Sequence, residues 1–121
     1  MANIINMSNG SITQVLLASL TNIPTSSTAV SGTTNWKKFD AIYFVTKMHY
    51  KEVNDVASFT NLVFTKNVVI GDTYSVSRVS TSNGQAWETN LNCWFFNDQI
   101  KVSKKVYVYD ITRVDIYGVN F

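Results

Sequence analysis

Aromatic and β-branched residues alternate with polar residues along most of the chain, which is the pattern of strands half-buried in a sheet. The pattern is strongest in Asn35–Val45 (NWKKFDAIYFV) and in the last nine residues, RVDIYGVNF. Alternation puts one set of side chains of each segment toward the interior. The inward residues predicted to form the core are Ile42, Phe44, Val114 and Ile116.

Turn residues divide the chain into short segments. Asn83-Gly84 suits a tight hairpin, because this dipeptide tolerates the positive φ of a type I′ turn, and Asn97-Asp98 predicts a second hairpin. Ile12–Leu20 fits either a short helix or a strand, whereas the polar stretch Tyr50–Ser58 predicts a loop. The strands predicted are Ser27–Ser31, Lys38–His49, Phe59–Thr65, Val68–Ile70, Thr73–Ser80, Trp87–Phe96, Gln99–Ser103, Lys105–Tyr109 and Arg113–Val119. About eight to ten short strands at this spacing predict an all-β fold, an antiparallel β-sandwich of jelly-roll type.

Two predicted strands are apolar on both faces, although a two-layer sandwich needs only one apolar face per strand. One is Leu91–Phe96 and the other is Val106–Tyr109. The surplus aromatic face needs a cover, and a neighbouring subunit is favoured over a loop or a bound ligand. The predicted interface residues are Tyr107, Tyr109, Tyr117, Trp94 and Phe96.

Composition supports this interpretation. The 121 residues suffice for one domain, and valine plus isoleucine number 24 against five leucines, which favours strands. A net charge of +2 with scattered lysines does not indicate a nucleic-acid surface. We expect residues 1–11, which are polar and rich in asparagine, to form a flexible arm or attachment segment, and residues 12–121 to form the β-sandwich domain.

The chain shows no pattern for export or membrane insertion. Its first eleven residues contain no Lys or Arg, and the apolar run Val15–Leu20 is far shorter than the roughly 20 residues of a membrane span. One cysteine, Cys93, cannot form an intrachain disulfide. These features predict a protein made in a reducing cytoplasm and stabilised by packing or association.

Catalytic patterns are weak. His49 is the only histidine, so sites that need two are excluded, and Cys93 is predicted to lie on the inward side of its strand as a small hydrophobe. The carboxylate pairs Asp110/Asp115 and Glu52/Asp55 suit solvated charge better than a cleft. The sequence therefore predicts no enzyme, no cofactor and no metal site.

Two segments resemble a known family. The stretch VLLASLTNIPTSSTAVSGTTNWKKFDAIYFVT, which contains an aromatic-Asp-hydrophobic strand (Phe39–Phe44), and the closing Ile116-Tyr117-Gly118 are similar to the distal β-sandwich module of tailed-bacteriophage tail fibres and related virion appendages. The resemblance covers residues 12–121 in layout and these two segments in detail.

The resemblance implies a non-enzymatic virion protein that is assembled in the host cytoplasm. It implies a homotrimer that displays loops for attachment to a bacterial surface glycan or protein, with residues 1–11 as the candidate contact to other virion proteins. Neither nucleic acid nor membrane insertion is implied. A role in capsid decoration, a head fibre or the baseplate without receptor binding, and a carbohydrate-binding accessory domain, remain alternatives.

The resemblance implies no particular binding residues, so the candidates are chosen by the side-chain types that glycan sites use. Glycan sites combine an aromatic platform with amide and carboxylate groups, and the hairpin tip around Trp87 has this composition. Trp87 also fits a core position at the start of its strand. The candidate residues there are Trp87, Asn83, Gln85, Glu88 and Asn90, with Tyr50, Asn54 and Asp55 as a second choice.

Overall fold

Two antiparallel sheets form the molecule, which confirms the predicted β-sandwich. The computed structural model describes residues 4–7, 10–50, 56–82, 85–107 and 109–121, and the side chains of 12–50, 56–77, 88–107 and 109–121. Over these residues there are nine strands: β1 Ile4–Met7, β2 Gly10–Leu20, β3 Thr28–Ala29, β4 Ala41–Tyr50, β5 Val56–Phe64, β6 Thr73–Ser82, β7 Gln85–Phe96, β8 Gln99–Lys105 and β9 Tyr109–Asn120. Short 3₁₀ helices, Trp36–Lys38 and Thr65–Asn67, lie in two of the connections.

The strand order shows how the chain crosses between the sheets. The first sheet has the order β1-β2-β9-β4-β5 and the second has the order β3-β8-β7-β6. β9 pairs with β2 and β4 in the first sheet, while β8 pairs with β3 in the second. The antiparallel ribbon of β2–β3 against β8–β9 therefore runs across both layers, which is the jelly-roll-like part of the fold. The hairpins β4–β5 and β6–β7 extend the sheets on either side of it.

The core lies between the sheets and follows the predicted alternation. Ile42, Phe44, Val114 and Ile116 are at most 1% exposed, which confirms them as core residues. Leu91, Cys93 and Phe95 face them from β7, and the Phe95 ring packs edge-on against the Phe44 ring with centroids 6.1 Å apart. Both hairpin predictions agree with the register, since Ser82 pairs with Gln85 and Phe96 pairs with Gln99.

Several predicted boundaries are wrong. Val68–Ile70, predicted as a strand, is a connection that follows the second 3₁₀ helix, whereas Ile12–Leu20, which fitted either a helix or a strand, lies within β2. The predicted break between the strands Lys105–Tyr109 and Arg113–Val119 lies inside β9, and the chain changes sheet between Lys105 and Tyr109 instead. Asp110 is tolerated in the strand because its carboxylate forms an ion pair with Lys104 Nζ at 2.8 Å.

The N-terminal boundary also differs from the prediction. Ile4–Met7 forms an edge strand on β2, and β2 begins at Gly10, so the predicted boundary at residue 12 falls within a strand. An attachment role for residues 1–11 stays a prediction.

The two segments that carry the resemblance meet at the end of the first sheet. A Cβ atom on Gly118 would lie 2.5 Å from carbon atoms of the Phe39 ring, so the ring occupies the space that a side chain would need. Asp40 Oδ2 accepts a hydrogen bond from Phe121 N at 2.8 Å, and Asp40 N donates to Val119 O at 2.9 Å. Phe39-Asp40 thus fixes the end of β9.

Substituting Gly118 tests this contact. We expect Gly118→Ala to lower the free energy of unfolding by about 1–3 kcal/mol, because overpacking forces the Phe39 ring off its site. Chemical denaturation measures the loss. In a Phe39→Ala background the same substitution should cost much less, and equal costs in the two backgrounds would show that the ring is not the cause.

Three threonines are buried in the sandwich, and one differs from the others. Thr33 Oγ1 donates to Val30 O at 2.7 Å and accepts from Ile100 N at 3.0 Å. Thr89 Oγ1 donates to Tyr109 O at 2.7 Å. Thr46, with no exposed surface, has no partner for its hydroxyl among the residues that the structure describes. Thr46 therefore pays a desolvation cost with no compensating hydrogen bond.

Replacing these threonines by valine should have opposite effects. Thr46→Val removes an unpaired polar atom at nearly constant shape and should raise the free energy of unfolding by about 1 kcal/mol. Thr33→Val, the matched control, should lower it by about 1–3 kcal/mol because it leaves a buried N–H without its acceptor. Denaturant melts of both variants give the comparison, and destabilisation by both would contradict the assignment of Thr46.

Candidate functional site

Among the residues that the structure describes, the candidate catalytic groups are buried or far apart. Cys93 lies in the core, where burial raises the pKa of its thiol to about 12, so little reactive thiolate forms at neutral pH. Asp110 and Asp115 are five residues apart on β9, a separation of about 17 Å along an extended strand. Glu52 and Asp55 lie outside the described residues. Within the described part, no group of three or more His, Cys, Asp or Glu could hold a metal ion.

The outer face of the first sheet has an apolar end, called here the apolar patch. Its rows follow the pairing register: Gln14, Val119, Ala41 and Phe64 in one row, Leu16, Tyr117, Tyr43 and Leu62 in the next, with Ile12 and Phe121 at the margin. Gln14, Val119, Ala41 and Ile12 are buried, so the other six residues provide the accessible surface. A depression of about 210 Å³ lies among Ile12, Tyr43, Leu62 and Phe121. Leu62 is 41% exposed and Phe121 is 55% exposed, which is unusual for large apolar residues grouped on one surface.

Aromatic contacts hold the patch in shape. The Tyr43 and Tyr117 rings have centroids 6.2 Å apart, and the Phe64 and Phe121 rings are 5.7 Å apart. Both centroid distances lie within the roughly 4.5–7 Å range of interacting aromatic rings. The chain end therefore contributes a ring to this surface.

The other end of the same face is charged. Asp115 accepts hydrogen bonds from Ser19 Oγ at 2.6 Å and from Arg113 Nε at 3.1 Å. Burial alone would raise the pKa of Asp115, but the hydrogen bonds from Ser19 and Arg113 and the charges of Arg113 and Lys47 lower it overall. Asp115 is therefore ionised at neutral pH. It belongs to a surface hydrogen-bond network and does not act as a catalytic acid.

The outer face of the second sheet is different and is called here the amide face. Its residues alternate with the core residues of the same strands: Ser75 and Ser77 on β6, Glu88, Asn90, Asn92 and Trp94 on β7, and Lys101 on β8. Ser75 Oγ donates to Asn92 Oδ1 at 2.7 Å. In the orientation that satisfies its neighbours, Asn90 Nδ2 donates to Ser77 Oγ at 2.6 Å and to Glu88 Oε1 at 2.7 Å.

These hydrogen-bonded Ser, Asn and Glu side chains form a polar ladder across β6 and β7, and Trp94 lies at its end. It pairs with Thr73 on one side and Lys101 on the other, and it is half-buried. Lys101 Nζ lies 5.2 Å from the centre of the Phe96 ring, the next outward residue along β7. The amide face therefore combines amide, hydroxyl and ammonium groups with aromatic rings on a pleated surface.

A cleft at the end of the sandwich lies between the two 3₁₀ helices and is called here the lysine cleft. Its volume is about 390 Å³, and its lining residues are Trp36, Lys37, Thr65, Lys66, Val68 and Ile70. Trp36 is 2% exposed and donates from Nε1 to Phe96 O at 2.7 Å. The cleft wall is thus anchored to the hairpin between β7 and β8.

No protein-family model, characterised protein or solved structure matches this chain. The residues that the structure describes contain no helix with the length and apolar character needed to cross a membrane. The assignment of function therefore depends on these surfaces.

The predicted ligand residues are only partly brought together. Glu88 and Asn90 share the amide face, as the sequence suggested. Tyr50 is elsewhere, since its ring packs edge-on against the Tyr109 ring with centroids 5.1 Å apart. Asn83, Asn54 and Asp55 lie outside the described residues, as do the side chains of Gln85 and Trp87.

The predicted interface residues do not form one surface. Trp94 and Phe96 lie on the outer side of the second sheet, and Tyr117 lies on the outer side of the first. The prediction for Tyr109 is wrong, because this residue is 5% exposed within the core. Tyr107 is 41% exposed and belongs to the crossing between sheets. The error follows from treating 105–109 as one strand, when the chain changes sheet within it.

Proposed function

We propose that the chain is a non-enzymatic virion protein of a tailed bacteriophage, a fibre-tip-like module that attaches to a glycan on the host surface. Two observations support it. The segments that resemble the fibre modules have a joint structural role through Phe39 and Gly118, and the described residues include two surfaces that suit binding, the amide face and the apolar patch.

The amide face is the observation that carries the attachment function. A sugar ring has an apolar C–H face and a rim of hydroxyls, so it binds best where an aromatic ring adjoins side chains that both donate and accept. Asn92 and Ser75 provide such groups beside Trp94. A surface built to bind another protein is more apolar at its centre.

Glycan binding should depend on this face. We expect Asn92→Ala and Trp94→Ala each to weaken binding to host cells and to any glycan positive on an array by about tenfold or more, since one well-placed contact contributes about 1.4 kcal/mol. Thr60→Ala, on the outer face of the other sheet, is the control and should bind normally.

Circular dichroism and thermal melts establish that each variant is folded. The absence of binding to cells and array by the unsubstituted protein would refute the attachment function. It would leave the alternative of a capsid-decoration, head-fibre or baseplate component, which the apolar patch alone would serve.

The proposal includes a homotrimer, and the apolar patch is the surface that suits assembly. Three copies with this face toward a common axis would cover their patches together, and the charged end of the same face provides both signs for a polar rim. Residues 1–11 are proposed to contact other virion proteins. The protein is assembled in the host cytoplasm and needs no cofactor, nucleic acid or membrane insertion.

Charge placed in the patch should dissociate the assembly. We expect Leu62→Lys to yield a monomer by light scattering, because an ammonium group buried between subunits has no partner. Thr60→Lys is a matched control, two residues away on the same strand and face but at the polar end, and should remain trimeric.

A monomeric unsubstituted protein would contradict the assembly part of the proposal. Combined with glycan binding, that result would favour a carbohydrate-binding accessory domain instead.

A further inference from the structure

The lysine cleft has no role in the assignments above. Lys37 comes from the first 3₁₀ helix and Lys66 from the second, so two cationic side chains reach one cleft from connections far apart in sequence. None of its lining residues is acidic. The cleft therefore presents positive charge that its own lining does not neutralise.

The cleft is also shaped and held in place. Val68 and Ile70 give it an apolar side, and Thr65 Oγ1 is fixed by donation to Phe39 O at 2.6 Å. The Trp36 ring packs edge-on against the Phe95 ring, with centroids 4.9 Å apart. A volume of about 390 Å³ lies within the range of small-ligand sites, which is about 300–1,000 Å³.

The lysine cleft adjoins the amide face at the β7–β8 hairpin. Lys37 Nζ donates to Asn97 Oδ1 at 2.8 Å, and Asn97 directly follows Phe96, the residue under Lys101 Nζ. One elongated ligand could therefore cover the polar ladder and reach the cleft. Lys101 and Lys37 lie along that path.

We infer that the ligand is an acidic saccharide, with sugar hydroxyls on the amide face and a carboxylate or phosphate group in the lysine cleft. This inference rests on the proposed attachment function and specifies its ligand class. Lys37 and Lys66 are exposed, and two ammonium groups at one cleft attract an anion in a salt-dependent way. The amide and hydroxyl ladder suits sugar hydroxyls better than an acidic peptide.

Pairs of acidic and neutral polysaccharides distinguish the contribution of charge to binding from that of the sugar. The probes are polygalacturonate with its methyl ester, and dextran phosphate with plain dextran, each titrated by calorimetry at low and high salt. We expect at least one acidic member to bind about tenfold or more tightly than its neutral partner, with the difference shrinking as salt screens the charges. Polyglutamate tests whether charge alone suffices.

Variants locate the anion. The double variant Lys37→Gln/Lys66→Gln should lose about tenfold in affinity for the acidic probe and leave the neutral probe unchanged. Lys38→Gln is the matched control, because Lys38 is exposed in the same 3₁₀ helix but does not line the cleft. The carboxylate and phosphate pairs distinguish the two anionic groups.

The outcomes distinguish the two proposals. Equal binding of acidic and neutral members, or no effect of the double variant, overturns the acidic ligand and leaves the attachment function standing. Binding of polyglutamate as tight as that of the acidic saccharide overturns the saccharide assignment. If these probes, the array and host cells all fail to bind, both proposals are wrong.

Discussion

The Phe39 ring packs directly against the backbone of Gly118 in β9, and the first sheet depends on that strand. β9 lies between β2 and β4, so without it the first sheet separates into two hairpins. These partners are distant in sequence, and such pairings form only after long loops close. The first sheet is therefore complete only once β9 has paired with β2 and β4.

Alternation predicted the core of the longest strands because one face of each must meet the other sheet. Ile42, Phe44, Val114 and Ile116 were correct for this reason. Alternation does not say where a chain leaves one sheet for the other, and the stretch 105–109 shows the consequence. Tyr107 and Tyr109 were expected on one face, yet a crossing separates them. The alternating pattern continues through this stretch of the sequence, but the chain passes there from one sheet to the other.

The surfaces were less predictable than the core. Asn90, Asn92 and Trp94 alternate with core residues, so the sequence contained a signal for the amide face, but matching them to Ser75 and Ser77 required the register of β6. The lysine cleft had no comparable signal. Lys37 and Lys66 belong to connections, and only the crossing of the chain at the same end of the sandwich brings them together.

The two outer faces are able to differ, because the residues on the inner faces already form the core. Each strand has two sides, and once one is buried the other is free to specialise. Here one outer face groups large apolar side chains, while the opposite one groups amides and hydroxyls. The sheets lie back to back, so a partner that covers the apolar patch leaves the amide face directed outward. The proposed assembly and the proposed ligand binding therefore use different surfaces.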